Sequence, residues 1–507
     1  MIAVLDFGSQ YTQLIARKIR QLGVYTEIHP YDLPIPQLKK LNPSGIVLSG
    51  GPSSIYDNGS PRLNPRILQL GLPALGICYG LQSIAHALKG KVVPARDREY
   101  GHKTIQVLRD DGLLEGAPRT FRAWMSHGDR VEALPEGFVV LASSSTCPFA
   151  AVRHLSRPIF GLQFHPEVHH TEYGERILSN FVFGACKASA DWSMGSFVER
   201  TIEELRQSTA GRRVVCAVSG GVDSTVLAVL LHRAIGKRLL PVFVDNGVMR
   251  LDEPAQVVGM FRDQLGIRVR HKKSASRFLA RLKGVENPEE KRRRIGREFI
   301  QVFYSELGKN DLLAQGTLYP DVIESVSTKG PSATIKTHHN RVQEVLDLIR
   351  QGRVVEPLKE LFKDEVRAVG AELGIPRETL MRHPFPGPGL AIRILGEVTR
   401  KRLEVLRQAD AILIEELKRA GLYDSIWQAL AVLLPVRSVG VMGDQRTYEH
   451  VAAIRCVESV DAMTADWARI PPDTMRRISN RIINEVRGIN RVVYDVSSKP
   501  PSTIEWE

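Results

Sequence analysis

Short apolar runs rich in β-branched residues alternate with stretches of helical period from the first residues onward. Because strands and helices alternate in this way mainly around parallel sheets, the pattern predicts an α/β fold. The predicted strands of the first segment are 2–7, 24–29, 45–49 and 73–77, and the predicted helices are about 10–22, about 62–70 and one beginning at Leu81. Shorter strands and turns are predicted for the rest of the segment, 103–165, and a helix near 172–187 closes it.

The same alternation resumes after residue 191. It predicts a helix at about 195–208, followed by strands near 213–218, 239–244, 267–271 and 312–315 with helices between them. The stretch 328–354 has no strong apolar period and carries Lys336, His338 and His339, which predicts a mobile loop or lid.

A proline- and glycine-rich run at 384–389 marks the next boundary. Beyond it the pattern predicts a long helix and then three apolar segments, at about 399–420, 429–442, 450–457 and 491–496. We therefore predict three domains: a mostly parallel α/β domain, a doubly wound α/β domain and a small α+β domain, at 1–191, 192–382 and 383–507.

Composition narrows the classes of protein. No apolar run is long enough to span a bilayer and no signal-like start is visible, so neither membrane insertion nor secretion is predicted. The 5 cysteines are scattered and form no C-x-x-C pair, which favours a reduced cytoplasm over a disulfide framework or a zinc site. The net charge of +13 is concentrated in the central segment, around 291–294, without interleaved aromatic residues. That distribution favours anionic nucleotides over nucleic acid as partners.

The first candidate site is the Gly-Ile-Cys-Tyr-Gly turn at 76–80, between an apolar strand and a helix. Small residues permit a sharp turn that lifts the central side chain clear of the sheet. A helix N-terminus behind Cys78 favours a thiolate and offers backbone N–H groups to an oxyanion. In the Gln-Phe-His-Pro-Glu segment at 163–167, His165 can take the thiol proton while Glu167 fixes the imidazole tautomer.

Two polar segments complete this pattern: Gly50-Gly51-Pro52 after a predicted strand, and the Ser-His-Gly-Asp segment at 126–129. With these motifs, residues 1 to about 190 resemble the class I glutamine amidotransferases. The resemblance implies hydrolysis of the glutamine carboxamide through a glutamyl thioester, with Cys78 as nucleophile, His165 as base and Glu167 as its orienting partner. It also implies oxyanion- or glutamine-binding positions, which are Gly51, Tyr79, Gln82 and Asp129.

The remaining histidines near these motifs are assigned other roles. His169 and His170 lack neighbours with metal-ligand spacing, so surface positions are favoured over a metal site. His127 is expected to be structural rather than a base.

The second candidate site is a small-residue loop between a strand and a helix, comprising Ser219, Gly220, Gly221, Val222, Asp223, Ser224 and Thr225. Backbone N–H groups and hydroxyls at a helix N-terminus form an anion-binding nest, although the lysine of a Walker loop is missing. An acidic Asp223 inside such a loop is best explained as a partner of Mg²⁺. The loop resembles the PP-loop of ATP pyrophosphatases. Val244 lies near the end of the next predicted strand, where a base or ribose contact is expected, and Lys336 in the predicted lid can reach phosphate oxygens, so both are predicted ATP-binding positions.

The third segment indicates which substrate ATP activates and ammonia then attacks. The segments 383–393 and 437–448 and the terminal Lys-Pro-Pro-Ser-Thr-Ile-Glu-Trp-Glu resemble the GMP synthetase family. The resemblance implies that Mg-ATP adenylates xanthosine 5′-monophosphate (XMP) at O2 and that ammonia displaces AMP. It further implies a homodimer, formed by a C-terminal dimerisation domain, and XMP-binding positions at Arg297, Lys499, Thr503 and Glu505. The chain departs from many relatives after Asn340, where a helical pattern replaces a Gly-Gly-Leu segment.

Two alternatives stay open at the level of sequence. A tRNA base is a possible acceptor, because PP-loop enzymes also modify tRNA. A nucleotide-binding regulator with a decayed amidotransferase is the second alternative, and the complete set of Cys78, His165 and Glu167 argues against it.

Overall fold

The computed structural model describes residues 1–326, 343–442, 445–459 and 464–507. The described residues separate into two compact units. Unit 1 contains residues 1–196 together with 320–326, and unit 2 contains 197–319 together with the described residues from 343 onward. Across these described ranges, no helix has the length and apolar character needed to cross a membrane.

The strands form one sheet in unit 1 and two sheets in unit 2. The strands of unit 1 are β1 (Ile2–Asp6), β2 (Thr26–Pro30), β3 (Gly45–Leu48), β4 (Ala74–Ile77), β5 (Lys91–Val107), β6 (Thr120–Ala133), β7 (Phe138–Ser143), β8 (Ala151–His154) and β9 (Ile159–Leu162). Those of unit 2 are β10 (Val214–Ala217), β11 (Leu239–Asp245), β12 (Arg270–Lys273), β13 (Leu312–Ala314), β14 (Val354–Val355), β15 (Gln428–Met442), β16 (Gln445–Glu458), β17 (Asp466–Trp467) and β18 (Ile489–Tyr494).

The α-helices connect and cover these strands. In chain order they are α1 (Thr12–Gln21), α2 (Ile35–Leu41), α3 (Tyr79–Ala87), α4 (Gly174–Ser179), α5 (Met194–Ser208), α6 (Val222–Ile235), α7 (Glu253–Gly259), α8 (Ala275–Leu282), α9 (Pro288–Tyr304), α10 (Tyr319–Val326), α11 (Gln343–Arg350), α12 (Lys363–Glu372), α13 (Arg377–Leu380), α14 (Arg400–Arg419) and α15 (Pro472–Glu485).

Unit 1 is built on a 9-stranded mixed sheet in the order β2-β1-β3-β4-β9-β8-β7-β5-β6. The strands from β2 to β9 in this order are parallel, and those from β9 to β6 are antiparallel. Apolar side chains of β1, β3 and β4 are buried with those of α3 in one continuous core. Parallel strands end at the same edge of a sheet, so the residues that follow β3, β4 and β9 emerge together.

Two predicted elements of unit 1 differ from the structure. The helix predicted at 62–70 is a short 3₁₀ helix, Pro65–Leu70, because Pro65 opens it and Gly71 ends it in a left-handed conformation, φ +75°. The short strands predicted from residue 103 onward include the long antiparallel pair β5–β6, which begins at Lys91. Gly101 and Gly128 both lie inside these strands, where pairing to the neighbouring strand overrides the low strand propensity of glycine.

The first sheet of unit 2 has 5 parallel strands in the order β12-β11-β10-β13-β14. Of the strands predicted here, the one at 267–271 is displaced to Arg270–Lys273, because pairing with β11 begins only at Val242–Arg270. Helix α11 lies within the segment 328–354 that was predicted to be a lid, and the two-residue strand β14 begins at the last residue of that segment. Lys336, His338 and His339 lie outside the described residues.

The second sheet of unit 2 has 4 strands, with the β15–β16 pair at its centre. Strand β16 pairs antiparallel with β15 and β17 and parallel with β18. One apolar core runs from the first sheet, at Val215 and Val242, to the second sheet and α14, at Ile454 and Leu406. The predicted boundary at 382/383 falls inside this unit and stays a prediction.

Candidate active site

Cys78 lies at the turn that joins β4 to α3. Its backbone angles, φ 53° and ψ −107°, are rare for a residue with a side chain and mark a strained turn. A Cβ on Gly76 would lie 2.6 Å from the backbone of Gly80, and a Cβ on Gly80 would lie 2.3 Å from the carbonyl oxygen of Leu48. The N–H of Cys78 donates to the carbonyl of Leu162 at 2.6 Å. Glycines are therefore required around the cysteine, and the turn is tied to the neighbouring strand β9.

The pairing of β4 with β9 brings His165 and Glu167 to the same edge of the sheet as Cys78. Ile77 and Leu162 are partners in this parallel ladder, so the residues after them leave the sheet side by side. His165 Nδ1 lies 2.8 Å from Glu167 Oε1, and the two side chains are 3% and 0% exposed. The arrangement has the geometry of a nucleophile, a base and a residue that orients the base.

The buried imidazole of His165 keeps a high proton affinity. Burial alone lowers the pKa of His165, because it disfavours the charged form. The charge of Glu167, its hydrogen bond to Nδ1 and the proximity of Cys78 outweigh burial and raise this pKa well above its ordinary value. Since Glu167 engages Nδ1, Nε2 is the ring nitrogen left to exchange a proton with the thiol.

The predicted oxyanion and glutamine positions surround this turn. Gly51 follows β3, and a Cβ on it would lie 2.8 Å from the carbonyl oxygen of Phe7. Tyr79 is the first residue of α3, and its hydroxyl donates to the Pro61 carbonyl at 2.6 Å. The backbone N–H of Tyr79, at the helix N-terminus, is therefore the part of this residue that suits an oxyanion.

Gln82 and Asp129 are in contact with each other. Gln82 Nε2 donates to the backbone carbonyl of Asp129 at 2.8 Å. The Cys78 Sγ lies 3.6 Å from the backbone carbonyl oxygen of Ser126, so the segment 126–129 borders the sulfur. Within the described ranges, Asp129 Oδ2 is buried without a hydrogen-bond partner, which suits a group that accepts from a substrate.

The sequence analysis missed two buried polar contacts of this site. His127, expected to be structural, lies with Nε2 3.0 Å from Glu99 Oε2, and these side chains are 2% and 3% exposed. The amide Nε2 of Gln163 donates to Cys78 Sγ at 3.7 Å. The spacing of Gln163, His165 and Glu167 at every second position was the available signal for the second contact.

The predicted anion nest lies between β10 and α6. Gly220 has φ +76°, and a Cβ on it would lie 2.4 Å from Val257 Cγ2, so only glycine fits. The hydroxyls of Ser219 and Ser224 lie 3.1 Å apart, and Thr225 Oγ1 donates to the carbonyl of Gly221 at 2.8 Å. Val222 is buried as the first residue of α6. The loop therefore satisfies its own hydroxyl groups in this structure.

Asp223 is held by a lysine from a distant part of unit 2. Lys363 Nζ lies 2.6 Å from Asp223 Oδ1 and 2.6 Å from Oδ2, at the start of α6. Arg382 adds a second cation beside the loop, since its Nη1 donates to the Gly220 carbonyl at 2.9 Å. Val244 is buried in β11, the neighbour of β10, one residue before the strand ends.

The C-terminal tail is anchored by two arginines that are 0% exposed. Arg393 binds both carboxylate oxygens of Glu505, at 3.1 and 2.8 Å. Arg455 donates to the Thr503 carbonyl at 2.9 Å and to the Ile504 carbonyl at 3.0 Å. Glu505 is thus already committed to an ion pair with a buried arginine, which the sequence analysis did not foresee.

The other two predicted XMP positions lie on the tail and on α9. The backbone of Lys499 pairs with that of Ala465, with N···O distances of 2.7 and 3.0 Å. Arg297 is exposed on α9. Lys291, on the same helix, donates from Nζ to Glu507 Oε2 at 2.5 Å, so α9 and the tail are neighbours.

Two family models match parts of the chain. Residues 3–185 match the model described as glutamine amidotransferase class-I. Residues 415–506 match the model described as the GMP synthase C terminal domain. Unit 1, with its cysteine turn, is therefore of the class-I glutamine amidotransferase type.

Similar proteins match the chain over its full length. GMP synthase (glutamine-hydrolyzing) of Aquifex aeolicus is 56% identical over 511 residues, which cover 100% of this chain and 99% of that protein. The proteins of the same name from Maridesulfovibrio salexigens and Chlorobium chlorochromatii are each 56% identical with the same coverage. The chain belongs to the GMP synthase (glutamine-hydrolyzing) family. The predicted resemblance and the α/β fold are confirmed.

Proposed function

We propose that this protein synthesises GMP from XMP, using ATP and the amide nitrogen of glutamine, and releases AMP, pyrophosphate and glutamate. The observation that carries the proposal is the match over 100% of this chain to relatives named GMP synthase (glutamine-hydrolyzing). The buried arrangement of Cys78, His165 and Glu167 supports its first half. The loop at 219–225, with cations beside it, supports its second half.

In the first half, His165 Nε2 takes the proton of the Cys78 thiol and Sγ attacks the carboxamide carbon of glutamine. The N–H groups of Gly51 and Tyr79 stabilise the oxyanion of the tetrahedral intermediate. His165 returns the proton to the leaving nitrogen, which departs as ammonia. Water then hydrolyses the thioester to glutamate while Glu167 fixes the imidazole. Gln82 and Asp129 hold the amino-acid end of the substrate.

In the second half, the XMP O2 attacks the α-phosphorus of ATP and pyrophosphate leaves. Ammonia then adds to the activated carbon and AMP departs, giving GMP. The N–H groups of the 219–225 loop and the N-terminus of α6 bind the departing pyrophosphate. Val244 lies at the nucleotide end of the sheet, and Lys336 is proposed to contact phosphate oxygens.

Mg²⁺ fits the donor set of this loop. Protein sites for Mg²⁺ commonly offer one or two carboxylates and leave the remaining positions to substrate phosphates and water. Asp223 provides such a carboxylate, now held by Lys363 at 2.6 Å. When bound, Mg²⁺ would neutralise charge on the polyphosphate. We propose that Asp223 holds it and that Lys363 yields that carboxylate when Mg-ATP binds.

XMP is a phosphomonoester with nearly two negative charges, which calls for Lys, Arg and hydroxyl groups. We propose that Arg297, Lys499 and Thr503 contact it. Glu505, bonded to the buried Arg393, sets the position of the tail and is proposed to contact the base. We place this activity in the cytoplasm, which suits the free thiols of all five cysteines.

We also propose a homodimer formed through the β15–β16 pair. Val439, Val441 and Tyr448 are 55%, 73% and 63% exposed on these strands, and such grouped apolar side chains mark interaction surfaces. Val441→Asp is expected to convert the dimer to a monomer in sedimentation equilibrium. A wild-type monomer, or a variant that remains dimeric, would contradict this interface.

The proposed reaction is tested by supplying XMP and Mg-ATP with either glutamine or ammonium and following GMP, AMP and pyrophosphate. Equal amounts of the three products are expected with both nitrogen donors. If ATP is cleaved between its α and β phosphates only when tRNA replaces XMP, the two-site mechanism stands and the acceptor is wrong. If no ATP cleavage accompanies either acceptor, the proposed function fails.

A further inference from the structure

Gln163 is a buried amide next to the proposed nucleophile that has no role in the mechanism above. Gln163 directly follows β9, and Cys78 directly follows β4, the strand that pairs in parallel with β9. Because the register pairs Ile77 with Leu162, the next residue on each strand is placed side by side at the sheet edge. Gln163 is 0% exposed, and its Nε2 donates to Cys78 Sγ at 3.7 Å.

The sulfur has two polar contacts of opposite character in unit 1. The Ser126 carbonyl oxygen, 3.6 Å away, can accept the S–H of a neutral thiol. The Gln163 amide is a donor, so it can stay bonded to the sulfur after the proton has left. A carbonyl oxygen repels a thiolate whereas an N–H group stabilises it, because hydrogen bonds to ionised groups are the stronger ones. Loss of the thiol proton therefore shifts the balance from Ser126 towards Gln163.

The amide oxygen of Gln163 argues against a purely structural role for this side chain. Within the described residues, Gln163 Oε1 is buried and has no hydrogen-bond partner. An unpaired buried amide oxygen destabilises a fold, and an apolar side chain of similar volume would avoid that cost. The observed arrangement satisfies the donor that faces the sulfur and leaves the acceptor unpaired.

We propose that Gln163 is a positioning residue for glutamine hydrolysis: its amide N–H orients Cys78 Sγ and stabilises the sulfur after its proton has passed to His165. This inference rests on the proposed glutaminase half of the function. No bond to Gln163 forms or breaks; the thiol proton goes to His165 Nε2, and the sulfur electron pair attacks the carboxamide carbon.

The test measures alkylation of Cys78 by iodoacetamide as a function of pH, read by mass spectrometry of the Cys78 peptide in the full-length protein. The variants are Gln163→Met, which removes the donor, and Gln163→Glu, which can place a negative charge beside the sulfur. The midpoint of the pH profile is expected to move up by about one unit in Q163M and further in Q163E. Reading the Cys78 peptide alone separates it from the other four cysteines, and Cys78→Ala gives the blank.

The kinetic arm separates positioning from substrate binding. In Q163M, kcat for glutamine hydrolysis is expected to fall about tenfold while KM stays within about threefold. Ammonia-dependent GMP formation should match the wild type, because unit 2 is unchanged. A raised KM with an unmoved alkylation midpoint would overturn the proposal. So would a midpoint that moves down, because the amide oxygen would then face the sulfur.

Two further readouts keep the test decisive. If Q163M and Q163E lose their native circular dichroism spectrum, Gln163→Asn is tested in their place. The shorter side chain keeps a buried amide but moves its N–H away from the sulfur. The same upward shift is expected for Q163N, and an unshifted midpoint overturns the proposal. If the wild type hydrolyses no glutamine, the proposed function fails, whereas the alkylation profile still reports on the Gln163–Cys78 contact.

Discussion

The two candidate sites differ in how far their side chains are already arranged. At the cysteine turn, buried groups already make their contacts: His165 lies 2.8 Å from Glu167, and Gln163 after β9 donates to Cys78 after β4. At the 219–225 loop, the serine hydroxyls bond each other and Asp223 is neutralised by Lys363. The first site is organised by the fold alone. In the function proposed for it, the second exchanges these internal contacts for those of a polyphosphate.

The chemistry of the two substrates explains this difference. The glutamine carboxamide is neutral, so catalysis at Cys78 depends on groups that are fixed before the oxyanion develops. ATP carries its own charge and brings a metal ion, and a loop with satisfied hydroxyls and a paired Asp223 avoids isolated charge when it is empty. Substitutions at the cysteine site should therefore lower only the glutamine-dependent reaction, whereas substitutions at the 219–225 loop should lower the glutamine- and ammonia-dependent reactions alike.

The largest effect is expected for Cys78→Ala. Glutamine-dependent GMP formation should fall by about 10⁴-fold or more, since no other group provides the nucleophile. Ammonia-dependent formation should stay within about twofold, because ammonia bypasses the first step. Cys147→Ala is the matched control, because burial raises the pKa of the Cys147 thiol to about 12. Loss of both reactions in a folded C78A protein would contradict the division between the sites.

Asp223→Asn should lower both reactions. A fall of about 10²–10³-fold is expected with glutamine and with ammonium alike, because the loop loses the carboxylate that we propose to hold Mg²⁺. Rates are measured against Mg²⁺ concentration, and a higher Mg²⁺ requirement is expected. Asp263→Asn, an exposed acid of the same unit paired with Arg262, is the control. A D223N protein impaired only with glutamine would show that Asp223 serves the wrong half-reaction.

Local motifs predicted both turns, because a strand, a small-residue turn and a helix are continuous in the chain. The parallel strands that position Cys78 and His165 followed from apolar runs of four or five residues. The ion pair between Asp223 and Lys363 could not be predicted from local motifs, since it joins residues 140 positions apart. The pair Glu99–His127 was missed for a related reason: it depends on the register of β5 with β6, whose internal glycines have low strand propensity.

Glu167→Gln should have an intermediate effect that is confined to glutamine. Loss of the carboxylate charge lowers the pKa of His165, because that charge is what chiefly opposes burial. Glutamine hydrolysis is expected to fall about 10²-fold, and the limb of the pH–rate profile that reports His165 should move to lower pH. Glu172→Gln changes an exposed acid bound to Arg122 and should have no effect. An unmoved pH limb would contradict the role given to Glu167.

A buried histidine of unit 2 extends the comparison to pH. In unit 2, His383 Nδ1 accepts from the Ala429 N–H at 3.2 Å, and Nε2 lies 2.8 Å from the Tyr423 carbonyl oxygen. Burial, only partly offset by the bond to Tyr423, lowers the pKa of His383 to about 4. The carboxylate of Glu167 at Nδ1 raises the proton affinity of His165. In His383, Nδ1 already accepts a backbone N–H, so protonation of this nitrogen would break that hydrogen bond.

The two shifts have opposite consequences for stability. The raised pKa of His165 means that its pairing stabilises the fold below the ordinary value of 6.5 and that this contribution disappears as pH rises through the raised pKa. His383 behaves in the reverse way. Below 6.5 the unfolded chain binds a proton that the native imidazole refuses until about 4, so stability is lost as pH falls through this window.

The smallest expected effect is therefore a local loss of stability in unit 2 on acidification. From about pH 7.5 to about pH 5.0, the opening free energy around Ala429 should fall by about 2 kcal/mol, since one pKa unit corresponds to about 1.4 kcal/mol. Hydrogen exchange of the β15 amides measures this change. His383→Gln keeps an acceptor and a donor without titrating, so the pH dependence should disappear, whereas His232→Gln should leave it intact. An unchanged slope in H383Q would assign the acid sensitivity to another group.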